Sequence, residues 1–179
     1  MTEFGVVMEP SPGYTAALAV EIEAMGFDIL LCPDTQCLGP DPWGQLSLAA
    51  AGTGHLRLGT GVTNPYTRDV SVTAGALATL QLEAAGRALC GIGRGDSSAA
   101  HIGRRSASTA ELRQYVEQLR AYLQGGMVMR NGTPSRLRWL EDFELPPVPL
   151  DIACTGPATI RMAADVADRV SFAVGSAPE

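Results

Sequence analysis

The strongest constraint in this sequence is an alternation. Short runs that are apolar at nearly every position, FGVVM, FDILLC, LRLGTGV, RALCGIG, VPLDIAC and RVSFAVG, are separated by longer segments with helical spacing. A sheet with one wet face shows polar residues at every second position, whereas strands covered on both faces read as continuous apolar runs. The alternation therefore predicts parallel β/α units. Residues 12–25 put Leu18, Ile22 and Met25 on one helical face, with Gly26 as a stop. A short helix is expected over 42–51. A longer one over 71–84 carries Val72, Ala76, Leu80 and Leu82 and ends before Gly86. Thr109 reads as the N-cap of a helix with Leu112, Val116, Leu119 and Leu123 on its buried face, and residues 158–167 read as another helix. Residues 127–149 break the pattern. Asn131-Gly132 is a hairpin signal and a proline-rich stretch follows, so this segment reads as an insertion in a single domain spanning 1–179.

Two parallel architectures fit. A doubly wound sheet announces itself by a glycine-rich turn after its first strand. Here the first strand is followed by EPSPG, and the unusual residues sit after several strands. The second produces Asp34, and the third Gly61, Thr63, Asn64 and Arg68. The fourth produces Gly93, Gly95 and Asp96, the fifth Thr155 and Gly156, and the first Glu9. Function spread over many strand ends is the habit of a (β/α)8 barrel, where those ends converge on one mouth. The fold expected is an α/β, incomplete (β/α)8 TIM barrel of about six parallel strands with flanking helices.

Each of these residues also has a plain structural use. Glu9 before a proline could cap a strand edge, Asp34 after Pro33 could form a turn, and Asp96 could cap a helix. Arg94-Gly95-Asp96 spells an adhesion tripeptide, which would need an exposed extracellular loop. GIGRG lacks the spacing of a dinucleotide fingerprint. His101 reads as surface, and Trp43 and Trp139 as packing.

Composition removes several chemistries. All 13 basic residues are arginine, so lysine nucleophiles, Schiff bases and P-loop lysines are excluded. The formal charge of −6 and the lack of a basic stripe argue against a nucleic-acid partner. The two histidines lie in no metal-like cluster, and no Ser/His/Asp or Cys/His arrangement stands out. The four cysteines are scattered and read as buried thiols in a reducing compartment. No apolar run is long enough to span a membrane, and the N-terminus lacks the marks of an export signal, so a cytoplasmic location is expected. A cofactor that brings its own reactivity, held and tuned by the protein, fits what remains.

The segments FGVVMEPSP, GTGVTNPYTRD, GRALCGIGRGDS, ELRQYVEQLRAYLQG and ACTGPATIRMAADVADRV together resemble the bacterial luciferase-like monooxygenase superfamily. They are most similar to its coenzyme F420-dependent branch, which includes methylenetetrahydromethanopterin reductase. The resemblance implies a (β/α)8 barrel with coenzyme F420 at the carboxyl-end mouth, or FMN in the two-component monooxygenases of the superfamily. It implies a bulge after the third strand with a non-proline cis peptide at Gly61-Val62, on which the tricyclic ring rests. Thr63 and Asn64 would contact the ring or its ribityl chain. Asp34, Gly61, Val62 and Gly95 would join them in binding the coenzyme, and Thr155, Gly156 and Pro157 would lie near its phosphate-bearing tail. Glu9 and Asp96 would be acid/base or substrate-orienting groups. Many relatives carry Pro-Asp-His after the second strand, whereas here it is Pro33-Asp34-Thr35. That departure favours the pterin-reductase-like branch over the sugar-phosphate dehydrogenases. The implied reaction is hydride transfer between reduced deazaflavin and an electrophilic carbon of a small organic substrate.

The family barrel has eight strands and this sequence supplies about six, leaving two open edges. Three readings follow from the resemblance. The sequence is a fragment of a longer enzyme, or it is completed by a second copy or another polypeptide, or it is a non-catalytic flavin-binding or assembly module.

Overall fold

A computed structural model describes residues 2–172. In chain order the elements are β1 (Gly5–Val7), α1 (Thr15–Ala24), β2 (Ile29–Cys32), α2 (Pro42–Gly52), β3 (Arg57–Thr63), α3 (Val70–Glu83) and β4 (Ala88–Ile92). Then come α4 (Asp96–Ala100), α5 (Thr109–Leu123), the strands β5 (Val128–Arg130) and β6 (Thr133–Ser135), a 3-10 turn (Arg138–Asp142), β7 (Leu150–Cys154), α6 (Pro157–Val166) and β8 (Arg169–Phe172). Six strands form one sheet in the order β1-β2-β3-β4-β7-β8, every neighbouring pair parallel. The order never reverses, so the sheet has no switch point of the doubly wound kind. Each strand is added on the same side as the last, which is how a barrel grows.

The sheet is curled. Laid flat, five steps of about 4.8 Å would hold its two edges about 24 Å apart. Yet Glu3, just before β1, accepts a bond from Arg169 of β8 at 2.7 Å and from Arg57 of β3 at 3.1 Å. The Arg169 guanidinium foremost, with Arg57, holds the Glu3 carboxyl below the ordinary carboxylate range against the opposing effect of burial.

The core lies between the convex face of the sheet and the helices. Leu30 and Cys32 of β2, Leu58 of β3, Cys90 and Ile92 of β4, and Leu150 and Ile152 of β7 point into it. There they meet Ala19, Leu46, Leu77, Leu80, Leu112, Val116 and Leu119 from the helices. The intervening residues face the concave side. There Gly59, Gly61 and Gly93 let the side chains of Leu89, Leu31 and Val62 lie close against the middle strands, and Asp151 of β7 accepts a bond from Ser171 of β8 at 2.8 Å.

Several details differ from the sequence reading. The cap of α5 is Ser108, one residue earlier than Thr109. Its hydroxyl accepts from the Glu111 N–H, and the Glu111 carboxylate accepts from the Ser108 N–H, forming a capping box. The first helix begins at Thr15 because residues 11–14 form a turn, and Met25 lies beyond it, 71% exposed. Val72 on α3 also points outward, while the polar Thr73 and Gln81 are buried. Gln81 is satisfied there. It accepts from Ala88 N–H and donates to the carbonyls of Pro146 and Pro147, tying the proline stretch to the core. The short helix α4 was not expected. Within 127–149, Asn131 (φ 50°) and Gly132 (φ 82°) turn an antiparallel β5–β6 hairpin that stands apart from the main sheet. The last strand is seen over Arg169–Phe172. Its expected continuation through Gly175 lies outside the described residues.

The start of β3 is held by Glu23 of α1, whose Oε1 accepts from the N–H groups of His55 and Leu56 at 2.7 Å and of Gly54 at 3.0 Å. Burial acts to raise this carboxyl, and the His55, Leu56 and Gly54 N–H groups outweigh it, so it is held below its ordinary value. A carboxyl more acidic when folded stabilises fully above the ordinary range, and that contribution is lost as pH falls through the depressed value. Glu23→Gln should therefore lower stability at pH 7 and flatten the loss of stability between about pH 5 and pH 3. Urea titrations at several pH values read this directly, and parallel curves for the two proteins would refute it.

Candidate active site at the carboxyl ends of the strands

The parallel sheet brings the carboxyl ends of all six strands to one side. A cavity of about 280 Å³ opens there, lined by Pro33 and Thr35 after β2, the Gly61-Val62 bulge, and residues 93–98 after β4. Ala153 and Thr155 at the end of β7 complete its wall. The Gly61-Val62 peptide is cis, and the β3–β4 register shifts between Thr60 and Thr63. Both features fall where the family resemblance put them. Gly95 has φ +79°, and a Cβ there would sit 2.6 Å from Asn64 Cβ, so the chain can pass only as glycine.

The sequence candidates divide by position. Gly61, Val62, Gly95, Asp96 and Thr155 line the cavity. Asp96 is the first residue of α4, with Gly95 as its N-cap, so Asp96 is not itself the cap. Gly156 is the N-cap of α6 and Pro157 its first residue. They adjoin the lining at Thr155, with open space where a Gly156 side chain would be. Glu9 follows β1 at the same end but not in the cavity wall. Its carboxylate lies against Gly39, where a Cβ would come within 1.9 Å of Oε1, and accepts a long bond of 3.5 Å from the Thr35 hydroxyl.

Asp34, Thr63 and Asn64 are turned away from the cavity. Each is 1% exposed or less. Asn64 spends its amide on a local turn, accepting from the N–H groups of Tyr66 and Thr67 and donating to the Thr67 hydroxyl. Asp34 Oδ2 accepts from the Thr63 hydroxyl at 2.7 Å, from Arg68 Nε at 3.1 Å and from Trp43 Nε1 at 3.3 Å. Arg68 also pairs with Asp41 and stacks over Trp43. Sequence reading assigned no role in the site to Arg94, Ser97, Ser98 or Ala153. The alternation of β7, which points Asp151 and Ala153 the same way, is the signal that could have found Ala153.

Arg94 donates to the Ala107 carbonyl at 2.5 Å and to Ser106 Oγ at 3.2 Å, so its charge fastens the loop after α4. Beneath Glu9, burial foremost, with the Glu9 charge, pushes the Cys32 thiol up to about 12. Burial pushes Cys90 up to about 12 as well. Neither is a thiolate nucleophile at neutral pH. Cys32, Cys90 and Cys154 are buried, as expected of all four cysteines, but Cys37 is exposed. A thiol reagent should therefore modify Cys37 in the native chain and reach the other three only on unfolding. Fast labelling of two or more thiols under native conditions would contradict this packing.

A second, larger groove of about 400 Å³ lies between α5, the α3 N-terminus and the β5–β6 turn. Its polar groups are already engaged, Arg130 paired with Asp69 and Glu111 accepting from the Tyr66 hydroxyl. Among the described residues no group of three or more His, Cys, Asp or Glu side chains could hold a metal ion, and no helix is long and apolar enough to cross a membrane.

A curled, all-parallel sheet with a cavity at its carboxyl ends defines a protein of the (β/α) barrel class of folds. The chain belongs to the family described as luciferase-like monooxygenase, which it matches over residues 2–179. It is 30% identical over 173 residues to a 5,10-methylenetetrahydromethanopterin reductase of Methanolobus tindarius, covering 93% of this chain and 52% of that protein. It is 36% identical over 135 residues to an F420-dependent glucose-6-phosphate dehydrogenase of Beutenbergia cavernae, covering 71% of this chain and 40% of that protein. Among solved structures, the coenzyme F420-dependent tetrahydromethanopterin reductase of Methanopyrus kandleri superposes with a TM-score of 0.79 at 26% identity. The match covers 95% of this chain and 55% of that one. The chain thus spans about half the length of these two reductases.

Proposed function

We propose that this chain carries the coenzyme site of an F420-dependent oxidoreductase, acting by hydride transfer on a small organic, pterin-like substrate. One observation carries the reading. The Gly61-Val62 bulge lines the cavity, and Gly93 and Gly95 let Val62 and Asn64 pack close against the backbone after β4, making a wall of Val62 and backbone against which a flat ring can lie. The names of the relatives, reductases of methylenetetrahydromethanopterin and F420-dependent dehydrogenases, support the same coenzyme. When bound, reduced deazaflavin supplies the hydride, with no need for oxygen. Val62 and the glycines form the surface under the ring. Asp96 at the rim, and Glu9 at the end of β1, orient substrate or handle its proton. The N-terminus of α6, with no side-chain cap at Gly156, offers backbone donors to the phosphate-bearing tail, beside Thr155 and Pro157. Asp34, Thr63 and Asn64 support the wall from behind.

A second reading, FMN-dependent monooxygenation, draws on the family's own description and on a solved Streptomyces bottropensis monooxygenase that superposes with a TM-score of 0.69 at 26% identity. Fluorescence titration with oxidised and reduced F420 and with FMN, with molecular mass measured on the same samples, separates them. Deazaflavin binding supports the first reading. FMN binding with oxygen consumption supports the second, and binding of neither removes both. The mass shows whether a second copy or another chain is needed. In an active assembly, Asp96→Asn should lower kcat about 100-fold while leaving coenzyme affinity within about twofold. An unchanged kcat would remove Asp96 from the chemistry.

A further inference from the structure

We infer that Asp34 is a positioning residue that locks three walls of the cavity to one another, and this rests on the cavity being the coenzyme site. Its neighbours Pro33 and Thr35 face the cavity, while its own side chain faces the other way and is 1% exposed. Its carboxylate takes the hydroxyl of Thr63, the last residue of the bulged strand, together with Arg68 in the loop leading to α3 and Trp43 at the start of α2. Its backbone carbonyl takes the Ser98 hydroxyl of α4 at 3.0 Å. Gln36, two residues on, donates to the Ser98 carbonyl at 2.8 Å.

α4 has five residues, too few to hold itself as a helix, and it carries Asp96, Ser97 and Ser98 of the cavity wall. Its position is set by what it is tied to. Direct ties run from the β2–α2 loop through Ser98, and the same loop grips the bulge through Thr63. Asp34 therefore couples the surface under the ring to the helix that presents Asp96. A buried carboxylate with three donors, one of them an arginine, holds such a junction in one geometry.

The test uses Thr63→Val and Ser98→Ala in the full chain, each removing one tie while keeping size, with Asp34→Asn as a third variant that removes the charge. Hydrogen exchange is followed in peptides covering residues 59–66 and 93–100, with circular dichroism to show that the variants fold. Thr63→Val should speed exchange at residues 98–100, which the Thr63 hydroxyl reaches through Asp34, by about tenfold, while the Gly93 N–H, taken directly by the Thr63 carbonyl at 2.8 Å, stays unchanged, and Ser98→Ala should speed exchange in 59–66 to a similar extent. Peptides from β2 and α5 should be unchanged. If each substitution loosens only its own segment, or if exchange rises uniformly over the chain, Asp34 does not couple the walls. Coenzyme titration is run in parallel, with an expected loss of about tenfold in affinity for either folded variant. A wild-type chain that binds neither F420 nor FMN overturns the site reading, and the exchange results still decide the coupling. Should Asp34→Asn fail to fold, the two milder variants carry the test.

Discussion

Gly91→Ala is expected to destabilise the chain by at least about 3 kcal/mol, a large fraction of the roughly 5–15 kcal/mol that holds a typical domain folded. Gly91 is the fourth of the five residues of β4, and a Cβ built there comes within 2.2 Å of the Thr60 carbonyl oxygen on β3. That oxygen is backbone and cannot rotate away. The two strands would have to separate, breaking the middle of the sheet and stretching the bond of 2.8 Å from the Thr60 hydroxyl to the Gly91 carbonyl. The same exchange at Gly75, inside α3 with nothing within 4 Å of the added carbon, should instead stabilise by about 0.5–1 kcal/mol through lower chain entropy. Urea unfolding of the two variants, side by side, is the measurement. A Gly91→Ala protein as stable as wild type would mean that β3 and β4 are not packed this closely.

The second large effect is at Arg87, just before β4. Its Nη1 donates to the Leu56 carbonyl at 2.6 Å and to the Thr53 hydroxyl at 3.1 Å. Its Nη2 donates to the carbonyls of Thr53 at 2.9 Å and Ala50 at 3.2 Å. Ala50 is in the last turn of α2, and Thr53 is its C-cap, so one guanidinium closes the end of that helix and fastens it to the start of β3. Arg87→Ala strands those acceptors half-buried and should cost about 3 kcal/mol. Arg87→Lys should recover less than half of that, because an ammonium lacks the planar fork that reaches two directions at once. Equal stability of the lysine variant and wild type, in the same urea titrations, would show that only the charge matters.

Much of this architecture is legible in the sequence because its cause is local. Apolar runs such as FDILLC and LRLGTGV must be covered on both faces, which requires parallel strands under helices. Asn131-Gly132 supplies two consecutive positive φ angles and so makes a hairpin wherever it falls between extended segments. The bulge and cis peptide at Gly61-Val62 were readable only through family resemblance, since neither composition nor spacing distinguishes a cis glycine-valine bond. The cap of α5 was misread by one residue because Ser108 and Thr109 have the same capping chemistry. Only the reciprocal bond from Glu111, three residues after Ser108, selects between them. Met25 fits an apolar face by spacing but lies beyond the end of α1, and Val72 points outward because α3 turns the hydrogen-bonded Thr73 and Gln81 toward the core.

The sequence by itself determined the class of fold, the end of the sheet where the candidate site residues gather, and the residue types available there, because strand periodicity and strand order place every βα loop on one side. Tertiary structure alone decided which of those residues face the cavity. Asp34, Thr63 and Asn64 share a strand-end address with Gly61 and Asp96, but a buried carboxylate must find donors. Those donors, on Arg68, Trp43 and Thr63, lie behind the wall, where only the packed loops bring them together.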